Sequence, residues 1–129
     1  MIAVDTNVVV RLLTGDDPGQ ARRARTLFDR ETVFLSKTVL LESEWVLRRL
    51  YGFAAERILD ALAALIALPN VRCEDDAAIA DALQWSAQGI DFADALHCAS
   101  ARSADQFASF DARLVKRARR IVDVRVVAA

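Results

Sequence analysis

Met1-Ile2-Ala3-Val4-Asp5-Thr6-Asn7-Val8 opens the chain, and Phe107-Ala108-Ser109-Phe110-Asp111-Ala112-Arg113 follows the same plan near its end. In each stretch a short apolar run stops at an aspartate and a helix start follows. A run of this length reads as a buried strand. In open α/β sheets, ligands gather outside the carboxyl ends of the strands, so an acid placed there stands where chemistry is expected. The N-terminal dipole of the helix that follows also favours negative charge. A lone aspartate at such a junction is first of all a helix cap. Two of them, with further acids elsewhere, ask for more.

Between these two stretches, short strands alternate with helices. Strands are expected at Met1–Val4, Val33–Leu35, Val71–Cys73, Gln106–Ser109 and Val122–Val127. Thr6 and Asn7 are N-cap types before a helix from Val8 to Leu13, and Pro18 stands in the first turn of a helix to about Arg30. Ser36 or Thr38 begins a long helix stopped at Gly52, and Phe53–Leu68 is the next. Asp75 or Asp76 caps a helix that Gly89 stops, Asp91 caps one reaching about Ser103, and Arg113–Arg120 is a short basic one. The alternation argues an α/β fold with a central parallel sheet of four or five strands flanked by helices. A length of 129 residues makes residues 1–129 one ordinary domain.

Composition removes several function classes. The 17 basic and 18 acidic side chains nearly cancel, so attraction to phosphate must come from local patches. Cys73 and Cys98 lack CxxC spacing, and a single histidine cannot complete a familiar zinc site with them. Free thiols of this kind suit a reducing cytoplasm. Asp5 and Arg11 interrupt the first apolar stretch, so no signal peptide is expected. The uncharged run Ala61–Pro69 is far short of the roughly 20 residues that span a bilayer, so no membrane association is expected.

Two further acids attract notice. Glu42 has Val39 at i−3, Trp45 at i+3 and Val46 at i+4, and Asp94 lies among Phe92, Ala93, Ala95, Leu96 and Cys98. A carboxylate on an apolar face is costly to bury without a partner. If Asp5, Glu42, Asp94 and Asp111 converge they repel, and a hard divalent cation offsets the repulsion. All-oxygen ligands select Mg²⁺ or Mn²⁺. Such an ion serves phosphodiester hydrolysis.

The segments Ile2–Val8, Val39–Leu47, Asp91-Phe92-Ala93-Asp94-Ala95 and Ser109–Leu114 together resemble a PIN domain, most nearly the VapC-type toxin ribonucleases of bacterial toxin–antitoxin pairs. The likeness runs in order through nearly the whole chain. Its specific parts are Asp5-Thr6-Asn7 and the Asp91–Ala95 block. The resemblance implies a Mg²⁺-dependent endoribonuclease with Asp5, Glu42, Asp94 and Asp111 as its acids. Asn7 and Ser109 match the polar positions that steady the metal shell. It also implies a homodimer and a small antitoxin that covers the active site.

Within the motif, Glu44 competes with Glu42. Arg48 at i+4 from Glu44 reads as a solvated helix pair, which favours Glu42 as the ligand. Asp91, a natural N-cap three residues before Asp94, is the rival of Asp94 and a supporting acid. Arg113, Lys116, Arg117 and Arg120 share one helix face beginning just after Asp111, and they are candidates to hold RNA phosphates, with Arg11. The competing reading is a solvated amphipathic helix. His97, Cys98, Trp45 and Trp85 are expected in packing roles. Three other functions stay open: a PIN-type nuclease of RNA maturation or decay without an antitoxin, a phosphoacceptor receiver domain, and a non-catalytic acidic-pocket interaction module. The receiver domain wants a later lysine and a mid-sheet aspartate that this sequence does not convincingly supply.

Overall fold

The computed structural model describes residues 1–129, which group into two compact units, Met1–Asp76 and Ala77–Ala129. The first unit holds β1 (Ile2–Ala3), α1 (Thr6–Thr14), α2 (Pro18–Arg30), β2 (Val33–Leu35), α3 (Lys37–Arg49), α4 (Ala55–Ile66) and β3 (Val71–Cys73). Its sheet has the order β1-β2-β3, and both pairings are parallel, with Ile2 opposite Val33 and Val33 opposite Val71. Parallel strands need covered crossovers, and the helices supply them. α1 packs on α2 and α3, and α4 packs on α3 and β3.

The second unit holds α5 (Asp76–Ala87, whose first residue closes the first unit), α6 (Phe92–Ser100), β4 (Phe107–Ser109), α7 (Ala112–Ile121) and β5 (Val126–Ala128). β4 and β5 pair in parallel, Phe107 opposite Val126, with α7 packed on both. Five strands therefore form and every pairing is parallel, but hydrogen bonding divides them three and two. None of the helices is long and apolar enough to cross a membrane.

Local chemistry explains the boundaries. Asp5, not Thr6 or Asn7, is the N-cap of α1, because its carboxylate accepts from the Val8 amide at 3.2 Å. Gly15 closes that helix at φ 66°, a conformation that costs glycine little. Asp17 caps α2, with Pro18 in the first turn, and Ser36 caps α3. α6 stops at Ser100, three residues earlier than periodicity suggests, and β5 starts at Val126 rather than Val122. Leu62, Leu35, Val33, Val9 and Leu40 are among the fully buried side chains of the first unit, as are Phe92, Ile79, Cys98 and Val126 of the second.

Candidate active site

In the second unit, Asp91, Asp94 and Asp111 line one cavity of about 200 Å³ together with Arg113, Arg117, Gly89, Ile90 and Leu114. Three elements converge to build it. α5 closes at Gly89, whose φ is 112°, and Ile90 N–H donates to the Trp85 carbonyl. That turn delivers Asp91 to the N-cap position of α6, where its side chain makes no cap hydrogen bond. Asp94 follows in the first turn, half-buried, where the helix dipole favours its charge.

Asp111 ends the strand–helix junction after β4. Its Oδ1 accepts from the amides of Arg113 at 3.0 Å and Leu114 at 3.1 Å, which makes it the N-cap of α7. Its own N–H donates to Ser109 Oγ at 3.0 Å. Ser109, a supporting residue in the sequence reading, thus fixes the backbone that carries the carboxylate. Arg117 Nη1 donates to the Gly89 carbonyl at 2.8 Å, tying α7 to the turn before α6. Arg113, Lys116, Arg117 and Arg120 are exposed, while Leu114, Val115 and Ala118 are buried on the other side of the helix.

The charges are not at ease. Burial lifts the Asp94 carboxyl above its ordinary range, with Asp91 adding to the effect, His97 opposing it and Asp111 contributing last. A cation beside Asp94 would reverse that penalty. In neither unit do three or more His, Cys, Asp or Glu side chains close around one point. The acidic residues lining the cavity are nonetheless all aspartates, and Mg²⁺ is commonly held by one or two carboxylates while water completes its shell. The donor set therefore fits a hard divalent ion. The thiols offer nothing comparable. Burial, reinforced by Asp76, pushes Cys73 up to about 11, and burial followed by Asp94 raises Cys98, so neither is a ready thiolate.

The first unit carries the other predicted residues. Asp5 is exposed at the end of β1 and caps α1. Asn7 is exposed and lines a separate groove of about 390 Å³ with Val8, Arg11, Gln20, Arg23, Ala24 and Leu27. Arg11 is held by neighbouring side chains. Its guanidinium donates to Gln20 Oε1 at 2.8 Å, to Asp16 Oδ1 at 3.1 Å and to the Tyr51 hydroxyl at 2.9 Å. Tyr51 in turn donates to Asp16 Oδ2 at 2.6 Å.

On α3 the expected surroundings of the two glutamates are exchanged. Glu42 is exposed, and Trp45, expected in a packing role, is 48% exposed. Glu44 is only 5% exposed and accepts from Arg48 Nε at 2.7 Å. Its pairing with Arg48 is thus a buried-end pair, not a solvated one. The buried stripe is Leu40, Ser43, Glu44 and Leu47, at i, i+3, i+4 and i+7. Trp85 is buried and His97 exposed. The two glutamates should separate cleanly. Glu44→Gln is expected to lower stability by about 1–2 kcal/mol, since a charge-assisted hydrogen bond inside becomes a neutral one and Arg48 loses its counter-charge. Glu42→Gln should leave stability within about 0.5 kcal/mol, as for a surface change. Urea denaturation of both variants checks this, and equal stabilities would mean the Glu44–Arg48 pair contributes nothing.

The PIN domain family matches residues 2–120, and the chain belongs to it. A solved structure similar to this chain is that of VapC20 of Mycobacterium tuberculosis, a sarcin-ricin loop cleaving toxin. The likeness covers 97% of this chain and 99% of that one at 24% identity, with a TM-score of 0.45. No curated protein matches.

Proposed function

We propose that this PIN-domain chain is a metal-dependent endoribonuclease and the toxin of a toxin–antitoxin pair. The observation that carries the nuclease reading is the cavity lined by Asp91, Asp94 and Asp111 together with Arg113 and Arg117, where burial raises the Asp94 carboxyl. Asp5, Asp94 and Asp111 are the proposed ligands of Mg²⁺ or Mn²⁺, with Glu42 as the fourth acid. When bound, the cation polarises a phosphoryl oxygen and makes water a competent nucleophile at neutral pH.

The chain's own residues do the rest. Arg113 and Arg117, with Lys116 beside them, draw the RNA backbone to an otherwise acidic cavity. The tie from Arg117 to the Gly89 carbonyl holds that guanidinium in place before substrate arrives. Glu42 orients or deprotonates the attacking water, whose oxygen bonds to phosphorus as the bond to the sugar oxygen on the opposite side breaks and that oxygen takes a proton from solvent. Asn7 and Ser109 steady the acids beside them. Asp91, three residues before Asp94, adds negative charge and accepts from water. The toxin role, a homodimer, a small antitoxin partner and a cytoplasmic location rest on the motif likeness to VapC-type toxins.

Purified protein should cut structured RNA with Mg²⁺ or Mn²⁺ and stop when EDTA is added. Cleavage that persists in EDTA would remove the metal from the proposal, and no cleavage under any ion would remove the nuclease. Expression of the chain alone in bacteria should arrest growth, with relief by the product of an adjacent small gene. Active protein with normal growth favours RNA maturation or decay instead.

A further inference from the structure

Phe110 is 93% exposed, although phenylalanine is among the side chains most often buried. It occupies the bend between β4 and α7, directly before Asp111. Its backbone is pinned on both sides. The Ser109 carbonyl accepts from the Ala129 amide at 2.9 Å, and Ser109 Oγ accepts from the Asp111 amide at 3.0 Å. The ring is therefore held out in solvent by an ordered junction rather than by a loose loop. The next helix presents Arg113, Lys116, Arg117 and Arg120 on its exposed side.

We propose that Phe110 is a base-stacking platform for single-stranded RNA beside the cleavage site, an inference that rests on the nuclease reading above. Three features point to a nucleic-acid base rather than to another apolar occupant. In the chain the ring stands between two polar residues, Ser109 and Asp111, with the exposed Arg113 close behind. The flanking cations complement a polyanion. Every base has a π-face, so one rigid aromatic with adjacent positive charge is the usual way to hold an unpaired strand. Phe110 would fix a nucleotide next to the scissile phosphate. It would thereby set which nucleotide reaches Asp111.

The test is binding of a fluorescein-labelled 12-nucleotide single-stranded RNA, followed by anisotropy in EDTA, with cleavage rates measured separately in Mg²⁺. Phe110→Ala should weaken binding about 10- to 100-fold, the range of one lost aromatic–base stack. Phe110→Trp should restore it, whereas Phe110→Leu, apolar but without a π-face, should not. Melting curves of all three should match wild type, because the ring is exposed. Wild-type affinity in Phe110→Ala, or full rescue by leucine, would overturn the proposal while leaving the nuclease intact. A shift of Phe110→Ala from dimer to monomer in sedimentation would assign the ring to a second copy of the chain and also overturn it. A wild-type protein that neither binds nor cuts RNA would overturn both this and the nuclease reading.

Discussion

Asp94→Asn is expected to reduce Mg²⁺-dependent RNA cleavage at least about 100-fold, since even outer-sphere partners of a bound metal are worth 10- to 100-fold. The same change should stabilise the metal-free protein. Burial and Asp91 raise the carboxyl of Asp94 above its unfolded value, so the native state holds its proton more tightly. Such a group favours folding below the unfolded value, near 4 for aspartate, and that contribution is lost as pH rises through the folded one. At pH 7 wild type therefore carries an unfavourable charge that asparagine lacks. Solvent screening at a half-exposed site keeps the effect small, a rise in melting temperature of about 1–3 °C. The advantage should shrink as pH falls into the carboxylate range. Saturating Mg²⁺ should reverse the order, because only wild type gains from binding. Thermal melts at pH 7 and pH 4, with and without Mg²⁺, give all three comparisons. A metal-free Asp94→Asn that melts lower than wild type would mean that protein partners hold the carboxylate.

Phe92→Ala should be far more damaging to the fold. Phe92 is the largest of the fully buried side chains, 2% exposed, at the first position of α6. Truncating a buried phenylalanine costs about 3–5 kcal/mol through lost transfer energy and a residual cavity. For a chain of this size that is roughly a 10–20 °C fall in melting temperature. It is also a large share of the 5–15 kcal/mol typical of a domain. Phe92→Leu, which keeps most of the volume, should cost less than about 1.5 kcal/mol. Urea unfolding of the metal-free variants is the measurement. A loss below about 1 kcal/mol for alanine would show that α6 is not anchored through this ring.

Much of this was legible in the sequence. The order of strands and helices followed from short apolar runs, and the strand–acid–helix junctions at Asp5 and Asp111 were visible because cap chemistry is local. The split of the strands into three and two was not, since pairing depends on contacts that no local pattern encodes. The environment of the glutamates differs from what periodicity predicts for a definite reason. α3 offers two stripes at helical spacing, Val39-Glu42-Val46 and Leu40-Ser43-Glu44-Leu47. The first looks more apolar, yet the second is buried. Glu44 can enter because Arg48 neutralises it, and Ser43 because its hydroxyl donates to the Val39 carbonyl at 2.7 Å. Periodicity counts side chains but not such internal partners. Nor did it show Arg11 tied to Asp16 and Tyr51, because Tyr51 is 40 residues away in the chain. The exposure of Phe110 was hidden for the opposite reason. An aromatic at the end of an apolar run reads as core until the chain turns.

The caps of α1 and α7 have a further consequence. The oxygen of Asp5 that accepts from Val8, and the oxygen of Asp111 that accepts from Arg113 and Leu114, tie each acid to the start of a helix. Fraying of that first turn and displacement of the acid are therefore one event. In the proposed mechanism, cleavage then depends on the least stable turn of each helix, and the exchange of three backbone amide hydrogens with solvent reports how often either acid is out of place.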